Sequence, residues 1–138
     1  MGTPSSITAK CQDGRFRTIY CHYDGYVEYN GVILFKHYQD QQKIENMLAL
    51  GDISSLKPSI ECPEGHSFET PADGHTIFYG RDRGEDKTEA FATDDLLTCR
   101  FDNKQDYNYY WDGENWYIGI DKPRLLSEVL IERGLTKP

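Results

Sequence analysis

The dipeptide Asp13-Gly14 constrains this chain more than any other short feature. Asp-Gly suits a two-residue hairpin turn whose central residues need positive φ, so it predicts an antiparallel strand on either side. Ser6–Gln12 reads as the first strand and Phe16–Tyr23 as its return. Side chains alternate along a strand. Phe16, Thr18, Tyr20 and His22 therefore share one face, and Ile19 and Cys21 the other. A second hairpin is predicted near the C-terminus. Tyr107-Asn108-Tyr109-Tyr110-Trp111 runs into Asp112-Gly113-Glu114-Asn115, and Trp116–Ile120 follows. Both arms are rich in residues of high β-propensity, aromatics above all, which pack well on a pleated surface.

Between the hairpins the periodicity changes. Val32–Tyr38 reads as a short helix. Asp40 caps a second one over Gln41–Leu50, where Ile44, Met47 and Leu48 follow the spacing of one buried face. Gly51 sits where a left-handed helix end belongs. Residues 52–74 hold three prolines and many turn formers, so they read as a long surface segment with a helical turn near Ser54-Ser55-Leu56. Thr76–Tyr79 reads as a strand, Arg81–Lys87 as a charged turn, and Asp94–Leu97 as a brief helix. A final helix is capped by Asp121, carries Pro123 in its first turn, buries Leu126, Val129 and Leu130, and stops at Gly134. Strands precede, interrupt and follow helices without a βαβ rhythm. The expected fold is one α+β domain over 1–138, a mostly antiparallel sheet with two or three helices packed on it.

The formal charge of −8 argues against a protein that grips phosphate backbones, which needs clustered Lys and Arg. It permits a partner with a basic surface. No run of about 18 apolar residues occurs, so no membrane span or membrane partner is expected. Nor does a basic segment followed by an apolar one open the chain, so Cys11, Cys21, Cys62 and Cys99 are expected as thiols in a reducing cytoplasm. Cys11 and Cys21 fall on neighbouring strands, where a bridge is conceivable under oxidation.

Chemistry-bearing patterns are thin. Cys62 and His66 approach metal-ligand spacing, but no second close Cys/His pair completes a zinc set, and no cofactor is expected. Cys62 could be drawn with His66 or His75 as nucleophile and base, yet no local helix start or oxyanion hole supports it. The charged run Arg81-Asp82-Arg83-Gly84-Glu85 crowds its acids into one turn, unlike the spread carboxylates of a metal-dependent nuclease. With His22 and Asp24 it forms an alternative ligand or catalytic site: His22, Asp24, Arg81, Asp82, Arg83 and Glu85. The stretch Asp94–Asp121 carries seven acids against two bases, interleaved with Tyr and Trp. Carboxylates beside aromatic anchors suit a basic protein partner. The predicted binding residues are Tyr107, Tyr109, Tyr110, Asp112, Glu114 and Trp116.

Four motifs in series resemble a family of small phage- and prophage-encoded accessory proteins without an assigned activity. They are Gly2-Thr3-x-Ser5-x-Ile7, Ile19-Tyr20-Cys21-His22-Tyr23-Asp24-Gly25-Tyr26, Leu50-Gly51-Asp52-Ile53-Ser54-Ser55-Leu56 and Phe78-Tyr79-Gly80-Arg81-Asp82-Arg83-Gly84-Glu85. Tyr23 stands where Trp would be expected. The resemblance covers residues 2–87 and implies a setting rather than a mechanism: a bacterial cytoplasm, with host takeover or defence evasion as the task. The reading favours binding over catalysis. The expected partner is a host protein, including a nucleic-acid-binding defence complex of the CRISPR kind, inhibited or redirected without direct contact to nucleic acid. The runner-up is a small enzyme or ligand-binding protein using the alternative site.

Overall fold

Asp13-Gly14 does close a hairpin, though not as a two-residue turn: Gly14 N donates to Cys11 O, Cys11 N to Arg15 O, and of the pair only Gly14 takes a positive φ. Its first strand turns out to be the middle of the molecule. We describe residues 2–137 of a computed structural model. Strand β1 (Ser5–Lys10) pairs antiparallel with β2 (Phe16–Cys21), with Ser5 opposite Cys21 and Lys10 opposite Phe16. On its other side β1 pairs in parallel with a strand from the far end of the chain. That strand, β6 (Tyr107–Trp111), places Ile7 beside Tyr109 and Ala9 beside Trp111. Its hairpin partner β7 (Trp116–Ile118) and the short β8 (Arg124–Leu125) extend the sheet outward. On the opposite flank β2 meets β3 (Ile53–Ser55), then β4 (Ile77–Phe78), and separately β5 (Phe91–Thr93). Five of the seven pairings are antiparallel, as an α+β fold predicts.

Among the described residues five short helices accompany the sheet, more than the two or three expected. A π-helical turn at Val27–Gly31 leads into α1 (Val32–His37), and α2 (Gln41–Leu50) follows. Asp40 caps α2 as expected, its side chain accepting the Lys43 N–H at 3.2 Å. Gly51 then adopts φ 87°, and a Cβ there would run into the Thr88 carbonyl oxygen, so only glycine fits. The remaining helices are α3 (Tyr79–Arg83), α4 (Leu96–Asp102) and α5 (Leu126–Glu132).

The core lies on one sheet face. Ile7, Ile19, Tyr109, Trp111 and Trp116 meet Leu34, Ile44, Met47, Leu48, Leu126 and Leu130 there, all buried. The polar ends of its aromatics are tied off. Tyr109 donates its hydroxyl to Gly25 O at 2.7 Å, and Trp116 its indole N–H to Tyr38 O at 2.7 Å. The other face is polar at its centre. Thr8 and Thr18 share a 2.7 Å hydrogen bond, Thr18 contacts the Cys99 thiol at 3.0 Å, and α4 lies across them.

Three expectations change. Ser54–Ser55 belongs to a strand rather than a helical turn, because Tyr23 N donates to Ser54 O and recruits the segment into the sheet. Residues 79–83 coil into α3 and end at Gly84 in the left-handed conformation. The last helix begins at Leu126 rather than behind an Asp121 cap, because Arg124–Leu125 first pairs with β7.

The cysteines separate by environment. Cys11 and Cys21 lie at opposite ends of the first hairpin, too far along the ladder for the conceived bridge. Cys11, Cys21 and Cys99 are buried and Cys62 is exposed. Burial pushes the Cys21 thiol up to about 11. A thiol reagent at mildly alkaline pH is therefore expected to modify Cys62 promptly in the native protein and the other three only in denaturant. Prompt modification of a second cysteine would contradict this packing.

Candidate functional site

Arg81 and Asp82, central to the alternative ligand site, are turned inward. The Asp82 side chain is 1% exposed. Its carboxylate accepts the Phe78 N–H at 2.8 Å and two Arg81 guanidinium N–H groups at 2.9 and 3.1 Å. Arg81 also donates to Ile60 O at 2.5 Å and Thr76 O at 3.2 Å, fastening the long 57–74 segment to α3. His66 completes the clip. Its Nδ1 accepts from Ala72 N at 2.9 Å, so Nε2 carries the proton and faces Thr76 O at 3.2 Å and Asp82 at 3.4 Å. Burial pushes the Asp82 carboxyl up, but the Arg81 hydrogen bonds, the Phe78 N–H and the Arg81 charge outweigh it and hold it below the usual range. Both His66 nitrogens are engaged, so His66 is not free to serve as a base for the nearby Cys62 thiol, and the other candidate, His75, faces Glu61 O through Nδ1 at 3.2 Å.

The rest of that set is spread out. His22 N donates to Ile53 O, and Tyr79 N to Asp52 O, so β3 stands between the His22 and Arg81 segments. His22 Nδ1 is bonded to the Tyr20 hydroxyl at 2.6 Å. Asp24 adopts φ 58° and accepts from the Tyr26 hydroxyl at 3.1 Å, which makes it a turn residue. Arg83 and Glu85 form an exposed pair at 3.5 Å.

The aromatic hairpin divides by side-chain parity. Tyr109 and Trp116 point into the core and are unavailable to a partner, while Tyr107 is half-buried against it. Asp112 closes the turn by accepting from Glu114 N and Asn115 N at 2.8 and 2.7 Å. Tyr110 and its cross-strand neighbour Tyr117 occupy the opposite face, ring centroids 6.3 Å apart, and Phe16 continues the row at 6.4 Å. The charge of Asp112 holds the Tyr117 phenol protonated to higher pH than usual. Glu114 is exposed at the tip.

Sequence reasoning missed how this row continues onto α4. Arg100 is buried with its guanidinium 5.2 Å from the Tyr110 ring centre, and its Nε has no hydrogen-bond partner among the described residues. On the outward side of α4, Leu97 is 59% and Phe101 46% exposed, and Phe91 on adjacent β5 is 39% exposed. The i, i+4 spacing of Leu97 and Phe101 was the available signal. Asp95 caps this helix by accepting from Thr98 N at 3.1 Å.

No helix among the described residues is long and apolar enough to cross a membrane. No family model matches the chain, and no curated protein or solved structure is similar enough to stand as a relative.

Proposed function

We propose that this domain is a non-enzymatic accessory protein of phage origin that works by binding. It docks on a protein of the bacterial host and inhibits or redirects it, with a nucleic-acid-binding defence complex as the fitting class of target. One observation carries the binding reading. The sheet face opposite the core is only partly covered by α4, and it presents Tyr110, Tyr117, Phe16, Leu97, Phe101 and Phe91 amid an excess of carboxylates. The phage setting rests on the four motifs in series, and the cytoplasmic setting on the unbridged cysteines together with that resemblance. The runner-up, a ligand or catalytic site on the His22 and Arg81 segments, has less support, because Arg81 and Asp82 spend their polar groups on holding the loop.

The test is capture from a bacterial lysate with the immobilised wild-type protein, compared with a Tyr110→Ala/Tyr117→Ala double variant. The expected result is a stoichiometric protein partner, insensitive to nuclease, whose recovery falls at least about tenfold with the double variant. Recovery of no partner, or equal recovery by both proteins, overturns the reading.

A further inference from the structure

The apolar part of this face is specific in its make-up. Leu97 and Phe101 stand side by side on α4, and Phe91 flanks them on β5, where the Cys99 thiol contacts Phe91 O at 3.9 Å. Carboxylates are in excess in the segment that carries the group. Residues 89–106 contain Glu89, Asp94, Asp95, Asp102 and Asp106 against Arg100 and Lys104, and Arg100 is buried. The surface therefore offers three large apolar side chains in an acid-rich segment, one of whose carboxylates, Asp94, is paired with Arg15 at 3.1 Å.

A cleft opens beside Phe91 at the C-terminal end of α4. It is lined by Tyr20, Asp52, Glu89, Phe91, Asn103 and Gln105 and encloses about 120 Å³. That is well below the roughly 300–1,000 Å³ of small-molecule sites. It has room for the end of one side chain. Its chemistry selects a cation. Asp52 is half-buried, one of its oxygens accepts the Tyr20 N–H at 2.9 Å, and burial and the charge of Glu89 both push its carboxyl up. A half-buried carboxylate that feels the charge of a second, exposed one is relieved by a positive group, and the Phe91 and Tyr20 rings suit the flat or methylene portion of one. Asp106 lies near enough to act on the Tyr20 phenol, which burial and neighbouring groups push up.

We infer that the α4–β5 face docks a basic amphipathic segment of a protein partner, its apolar side packing on Leu97, Phe101 and Phe91 and one of its Lys or Arg side chains entering the Asp52–Glu89 cleft. This rests on the protein-binding reading above and gives that partner its chemistry. Charge complementarity selects the occupant: an apolar patch alone would accept any hydrophobic surface, whereas the acid-rich segment and the Asp52–Glu89 cleft reject an acidic one. A segment alternating apolar and basic residues on one helix satisfies both parts.

The probe is a synthetic helix-forming peptide of Leu and Lys, titrated into the isotope-labelled full chain and followed by amide chemical shifts at about 150 mM salt, where long-range attraction is screened. Two controls accompany it: the same peptide with Glu for Lys, and a Lys-rich peptide without apolar residues. The expected result is saturable shifts centred on 89–103 and Asp52 with the Leu/Lys peptide, and at least tenfold weaker binding of either control. Leu97→Ser/Phe101→Ser and Glu89→Gln should each weaken the Leu/Lys peptide several-fold while leaving the rest of the spectrum unchanged, because all three positions are exposed. Shifts centred on Asp112–Asn115, equal binding of the Lys-rich control, or indifference to these substitutions overturns the inference. Lysate capture separates this failure from failure of the broader reading. A partner lost with Tyr110→Ala/Tyr117→Ala but retained by Leu97→Ser/Phe101→Ser leaves protein binding intact and removes only the α4–β5 site.

Discussion

Asp82→Ala is expected to lower the melting temperature by about 10 °C or more, although the residue lies in a stretch that reads as a solvated turn. Removing the carboxylate leaves the Arg81 guanidinium, 21% exposed, without its counter-charge and the Phe78 N–H without its acceptor. Breaking a buried pair by deleting one partner costs about 3–5 kcal/mol, and each kilocalorie is worth roughly 3–5 °C for a domain of this size. Amide exchange should accelerate first in 57–76, the segment that Arg81 and His66 fasten. The acid dependence has a definite sign. The folded Asp82 carboxyl is held below its ordinary value, so its stabilisation is complete above about pH 4 and is lost as pH falls through the lower folded value. Thermal melts across that range should therefore show a flatter acid limb for Asp82→Asn than for wild type. Equal melting of Asp82→Ala and wild type would refute the clip.

Trp116→Ala is expected to cost about 3–5 kcal/mol, as other large aromatic truncations in packed cores do. The indole is 2% exposed, packs at 5.5 Å on Trp111 and holds Tyr38 O through its N–H. Its loss opens a cavity and strands that carbonyl. Tyr117→Ala, one position along on the opposite face, should leave the melting temperature close to wild type. The pair separates two causes of lost binding. A partner that fails to bind Trp116→Ala in a denaturation-sensitive manner reports on folding, whereas one lost with Tyr117→Ala reports on contact. Denaturant titrations of both variants provide the check.

The local grammar of the chain was readable where one dipeptide or one cap decides the backbone. Asp13-Gly14, Asp112-Gly113, the Asp40 cap and Gly51 all act within a few residues. Features that depend on a distant partner were not readable. Ser54–Ser55 becomes a strand only because β2 lies alongside it, and Leu126 starts its helix late only because β7 captures Arg124–Leu125. The site follows the same rule. An excess of acid and aromatics pointed to the C-terminal hairpin, but which rings face outward depends on parity against β1. Parity sends Tyr109 and Trp116 inward and leaves Tyr110 and Tyr117 outside. Arg81-Asp82-Arg83 looked like surface chemistry because its acceptors, Ile60 O and Thr76 O, lie on other segments.

The parallel pairing of β1 with β6 also governs how the protein is born. Ser6 and Asn108 are joined by a side-chain hydrogen bond across 102 positions of sequence. At roughly 5–20 residues per second, a ribosome that has released the first hairpin needs about 5–20 s more to supply the strand that completes it. Throughout that interval the edge of β1 that will receive β6 is an open template for any extended chain that drifts past. Such long-range closure is slow even once all parts are present. Maturation should therefore be a late, concerted event, and an assembly line stalled before Tyr107 would release a sticky intermediate in place of a half-finished domain.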